Sequence, residues 1–130
     1  MSPTRRFVLA LPMALAAGRA GAAVPPATSA GAAVADRLRA LVPAPDSARL
    51  IGRAYLAGYP DESGDDATLA RLILADLGGG DPRAPLPVDT RRLRETIAAR
   101  VREDFRHGRT ARVEGWILSR TEARLCALWA

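Results

Sequence analysis

Between Asp89 and Gly108 the apolar residues Leu93, Ile97, Val101 and Phe105 recur at every fourth position, set among arginines and acids in "RRLRETIAARVRED". Apolar side chains at that spacing share one face of an α-helix, whereas strand side chains alternate with period two. The alternating charges read as a solvated face braced by i,i+4 pairs. Asp89 or Thr90 starts this helix and Gly108 stops it. The spacing predicts a buried stripe running from Leu93 to Phe105.

Three more helical patterns precede it, separated by breakers. "GAAVADRLRALV" carries Val34, Leu38 and Leu41 on one side and ends at "PAP". "SARLIGRAYLAGY" follows, with Asp46 as its expected cap and Leu50, Ile51, Ala54, Tyr55 and Gly58 facing inward. Gly52 inside it lowers helix propensity or permits a close crossing. Pro60 pushes Tyr59 out of helical geometry. "ATLARLILADL" then offers Leu69, Leu72, Ile73 and Leu77, with Asp65 or Asp66 leading in and a glycine run at 78–80 as its stop.

After Gly108 the period changes. "RTARVEGWILS" alternates in part, with Ala111, Val113 and Ile117 expected on one side and Arg112, Glu114 and Trp116 on the other, and reads as one extended strand or a tight hairpin bent at Glu114-Gly115. In "SRTE", Ser119 and Glu122 have the spacing of a capping box that opens a last short helix, "RTEARLCALWA". The expected fold is a mainly α domain of four to five helices with a short β-hairpin or extended segment before the last one.

The first residues read as an address. Arg5 and Arg6 precede an apolar run from Phe7 to Gly18, and Ala20-Gly21-Ala22 has the small-x-small pattern of a cleavage site. The run is shorter than the ~20 residues that cross a bilayer, so no permanent membrane anchor is expected. The arginine pair after Thr4, and Arg19 close to the cleavage site, resemble a twin-arginine export signal. The expected organisation is a signal peptide over residues 1–22, a flexible linker over 23–31 ("AVPPATSAG") and one domain over 32–130. The expected location is the periplasm.

Loss of residues 1–22 would remove three of the 19 basic residues and none of the 14 acidic ones, leaving a balance of +2. A chain so nearly balanced gives no reason to expect nucleic acid as a partner. All its basic residues are arginines.

Reactive side chains are few. Cys126 and His107 are the chain's single cysteine and single histidine, so close sets of Cys and His ligands for zinc, haem or iron–sulfur clusters are missing. "DESGDD" is acid-rich but lacks the alternate spacing of a Ca²⁺ loop, and reads as a solvated turn. "GGGDPR" lacks the lysine and the strand–loop–helix order of a phosphate cradle. His107 next to Gly108 suits a helix C-terminus. A hydrolase would need His107 to reach Ser119 or Thr121, and Ser119 is better used as a cap. Cys126 reads as a buried, inert thiol. No catalytic, cofactor-binding or metal-ligating residue is expected, and no bound cofactor. The densest unusual stretch is "VEGWILSRTEARLCALW", where Trp116, Arg120, Arg124 and Trp129 are either core or a partner-facing patch, since Trp and Arg dominate binding hot spots.

Two resemblances follow from these stretches. "TRRFVLALPMALAAGRAGAA" on a helical body resembles the small, signal-carrying subunits of periplasmic flavin dehydrogenases, of the gluconate 2-dehydrogenase subunit 3 and sorbitol dehydrogenase small-subunit type. "GWILSRTEARLCAL" looks like the ending of short exported proteobacterial proteins of unknown function. The first resemblance implies a non-catalytic accessory subunit, carried through the translocase together with a larger oxidoreductase subunit that holds the cofactor. The alternative expectation is a free-standing periplasmic binding protein for a small ligand or envelope component.

Overall fold

The computed structural model describes residues 27–78 and 86–130. The expected signal peptide with its arginine pair, the first residues of the expected linker and most of the Gly/Pro loop before residue 86 lie outside the described residues. The order is α1 (Ala27–Arg39), α2 (Pro45–Gly58), a 3-10 turn (Pro60–Glu62), α3 (Asp66–Leu77), α4 (Thr90–Arg106), β1 (Thr110–Val113), β2 (Trp116–Ser119) and α5 (Arg120–Ala127). The domain is mainly helical, with one two-stranded antiparallel sheet placed before the last helix. No described helix is long and apolar enough to cross a membrane.

Two boundaries move from their sequence-based positions. α1 starts at Ala27, inside the stretch assigned to the linker. Alanine favours a helix over a coil, and Gly31 lets α1 approach α3 so closely that a Cβ there would come 2.7 Å from the Cβ of Ala67. α2 starts at Pro45 rather than after Asp46, with Ala44 as an N-cap that makes no side-chain bond. Proline suits the first helical position because its missing N–H would have had no partner there. The inward face of α2 is then Ala48, Gly52 and Tyr55, while Leu50 is 69% exposed.

α5 is the centre of the fold. It touches all four other helices and both strands, most extensively α2. At Gly52 the two helices nearly share backbone space, since a Cβ would lie 2.3 Å from the Cys126 carbonyl oxygen. A helix of eight residues is not stable alone, so its ends must be satisfied and its sides buried. Both conditions are met. Thr121, Ala123, Leu125, Ala127 and Leu128 are buried. At the N-terminus Ser119 Oγ accepts from Glu122 N and Glu122 Oε2 accepts from Ser119 N, completing the capping box. The Arg120 amide donates to the Arg109 carbonyl, and the Thr121 amide to Asp104. No N–H of that first turn is left over.

The hairpin turns at Glu114 and Gly115, whose φ values of 50° and 81° are both positive. Two successive left-handed residues match the right-handed twist of the flanking strands. Register pairs Ala111 with Leu118 and Val113 with Trp116. The turn therefore reverses the expected sides. Trp116 and Leu118 share the face of buried Ala111 and Val113, and Ile117 faces the other way with Arg112.

Candidate functional site

The stripe on α4 is not buried throughout. Leu93 is fully buried, Ile97 and Val101 are partly covered, and Phe105 is 48% exposed. An α-helix has 3.6 residues per turn, so a strict four-residue repeat rotates about 40° at each step. By Phe105 the stripe has turned away from the core. Its inward place is taken by Asp104, which is 0% exposed.

That drift opens a groove of about 550 Å³ between α4 and α5. Its floor on α4 is Ile97, Ala98 and Val101. The facing wall is Leu125 and Cys126 of α5 with Leu118 of β2, and Leu41, Val42 and Pro43 after α1 close one end. Among the described residues, three charged ones line it: Arg94, Arg102 and Glu122. The Glu122 carboxylate is held in the capping box, whereas neither arginine makes an ion pair among the described residues. Burial, with a smaller contribution from Glu122, pushes the Cys126 thiol up, so the sulfur in the wall is a neutral, weakly reactive thiol.

Beyond the groove the same elements stay apolar. Phe105 lies one turn past Val101 on α4. Trp116, two residues from Leu118 on the same strand face, is 73% exposed at the hairpin tip.

The opposite face of α5 carries a polar network. Successive residues turn by about 100° in a helix, so Arg120 and Arg124 lie opposite Glu122, Leu125 and Cys126. Arg124 forms a two-pronged pair with Glu62, at 3.0 Å from Nε and 2.8 Å from Nη2, and reaches Asp76 at 2.6 Å. The Tyr55 hydroxyl donates to Glu62 at 2.6 Å. Arg120 lies 3.5 Å from Glu62 and stacks on the Tyr59 ring at 4.6 Å, while Tyr59 itself stacks on Tyr55. Asp76 also faces Arg100 at 3.7 Å. Asp104 then accepts from the amide and hydroxyl of Thr121 and from Arg109 Nε. Arg100 Nε sits 3.1 Å from Asp104 but its N–H is not aligned to donate.

Burial works against ionising both acids, yet their partners prevail. The Arg124 and Tyr55 hydrogen bonds and the charges of Arg124 and Arg120 hold the Glu62 carboxyl below its ordinary range. Thr121, Arg109 and Arg100 do the same for Asp104. Burial, then the bond to Glu62, pushes the Tyr55 hydroxyl up to about 12. Burial also opposes the Arg124 charge, but Glu62 and Asp76 raise its pKa further, so it stays cationic.

This placement sorts the residues singled out in the sequence. Trp116 is exposed. Arg124 is not, since its side chain is 12% exposed and spent on Glu62 and Asp76. Arg120 is engaged by Glu62 and Tyr59, and Trp129 is half-buried with its indole N–H enclosed. Glu62, expected in a solvated turn, is the acid on which the network converges, and Asp65 from the same stretch caps α3 through the Thr68 amide. His107 caps the end of α4 and faces Glu103 at 3.1 Å. Ser119 and Thr121 have their own partners, Glu122 and Asp104, and no hydrogen bond joins either to His107. Among the described residues no three His, Cys, Asp or Glu side chains are grouped to hold a metal.

Asp104 and the groove were missed in the sequence. One signal was available: an acid in the last turn of a helix opposes the helix dipole, so Asp104 needs a use elsewhere, and that use is at the start of α5.

No family model matches the chain, and no curated protein or solved structure shows significant similarity to it.

Proposed function

We propose that this chain is a non-catalytic binding subunit, exported to the periplasm and associated with a larger, cofactor-containing oxidoreductase. The observation that carries this reading is the apolar groove together with Phe105 and Trp116, which extend it along α4 and the hairpin. Large exposed aromatics beside a concave apolar surface mark places where a second molecule docks. The arginine pair and apolar run at the start of the chain supply the argument for export, and a folded small subunit can accompany a partner that has no signal of its own.

The test is association in the native cell. A tagged full-length chain, expressed from its own locus and recovered from periplasmic extract, should elute well above monomer size. The complex should contain a larger protein with the absorbance of a flavin or other redox cofactor. Recovery of the chain only as a solitary monomer would reject the reading.

The groove's volume lies within the roughly 300–1,000 Å³ typical of small-ligand sites, which favours the second reading, a free-standing periplasmic binding protein. A monomer that co-purifies with a small apolar ligand would support it.

A further inference from the structure

The geometry points to one occupant for the groove: an acidic amphipathic helix of the partner, laid along α4 with its apolar stripe inward. The inference rests on the binding-subunit reading and specifies which part of the partner is held. Three observations carry it.

The first is charge. Arg94 and Arg102 flank Ile97, Ala98 and Val101, and they are unpaired among the described residues. Among the described residues the only acid lining the groove, Glu122, has its carboxylate tied to the Ser119 amide. α4 as a whole carries six arginines against three acids. The rim therefore attracts carboxylates and repels ammonium groups.

The second is spacing. Arg94 and Arg102 are eight residues apart, about 12 Å along the helix axis. An amphipathic helix presents its i, i+3, i+4 and i+7 side chains over the same two turns, with its flanking residues placed to meet that rim.

The third is extension. The apolar surface continues past the groove to Phe105 and to Trp116. A short acyl chain would fill the groove and leave both aromatics in water, whereas a helix can cover all of it.

The test is an anisotropy titration of the full chain with a labelled peptide of about 14 residues, long enough for four turns. Its Leu stripe is flanked by glutamates, and a second peptide carries lysines in their place. The Glu peptide should bind at least about tenfold more tightly than the Lys peptide, and the difference should shrink as salt shortens the screening length. Ala98→Phe adds a ring to the exposed groove floor and should abolish binding. The double variant Arg94→Glu/Arg102→Glu should reverse the order of the two peptides. Both changes are on exposed positions, and the double variant carries the test should Ala98→Phe melt abnormally. Equal binding of the two peptides, or binding that ignores both variants, overturns the inference. So does dodecanoate binding in the groove with neither peptide binding. An oxidoreductase complex that survives Ala98→Phe intact would also overturn it while leaving the subunit reading in place. Selective capture of the Glu peptide by a chain that is monomeric in the cell would support the groove assignment and reject the subunit reading.

Discussion

The two faces of α5 are built on opposite rules. Toward Glu62 and Asp104, Arg120, Thr121 and Arg124 make bond upon bond. Toward α4, Leu125 and Cys126 border space that no described residue fills. The contrast shows how a very short helix can border an open apolar groove: the polar face fixes its position, so the apolar face need not be fully covered. Stability and binding should therefore respond to different substitutions.

The largest effect is expected at Asp104. Asp104→Ala leaves the Thr121 amide and hydroxyl without their acceptor, strips Arg109 of its ion pair, and leaves Arg100 with only its longer contact to Asp76. Removing one member of a buried ionic cluster costs about 3–5 kcal/mol. Urea unfolding should show that loss, and groove binding should fail with it. A stable Asp104→Ala protein would mean that the polar face does not hold α5.

Next comes Gly52→Ala. The new methyl would meet the Cys126 carbonyl, which is backbone and cannot swing aside. Overpacking of this kind costs about 1–3 kcal/mol. An unchanged melting temperature would show that α2 and α5 can move apart freely.

The pH response separates the faces further. Glu62 and Asp104 have folded-state pKa values below their unfolded ones. Their contribution is complete above the unfolded values of about 4, and is lost as pH falls through the folded ones. Tyr55 has the reverse sign for an acid. Its raised pKa gives stability that is present below pH 10 and is lost as pH rises toward about 12. Melting temperature should fall at both extremes, and Glu62→Gln should flatten the acid limb and lessen the alkaline one, because it removes a titrating carboxyl and the negative charge that opposes Tyr55 ionisation, while the burial of Tyr55 remains. A Glu62→Gln variant with an unaltered acid limb would contradict this assignment.

The smallest stability change belongs to the open side. Trp116→Ala and Phe105→Ser should alter unfolding free energy by no more than about 0.5 kcal/mol, as exposed substitutions do. If the proposed partner docks there, the same variants should weaken the association, which size-exclusion chromatography of the proposed complex would detect. A large loss of stability would place both aromatics in the core instead.

What the sequence made legible was local. The Ser119–Glu122 box and the Asp65 and Asp89 caps depend on partners two or three residues away, and each forms as its spacing suggests. The mainly helical class follows from apolar periodicity in the same way. The long-range pairs were out of reach. Arg124 and Glu62 stand 62 positions apart, and nothing in "DESGDD" distinguishes the acid that turns inward. The groove was hidden by a subtler cause. A perfect four-residue repeat looks like a continuous stripe when written out, but on a real helix it winds around the cylinder. The hairpin hid Ile117 likewise, since alternation counted across a turn changes sides.

The position of α5 also governs when this protein can take shape. Helices α1 and α3 pack directly on each other, but α2 joins them chiefly through residues 120–128. Ribosomes add about 5–20 residues per second, so α2 waits for several seconds without its main neighbour. Until Leu128 has cleared the exit tunnel, a chaperone has open access to its apolar face.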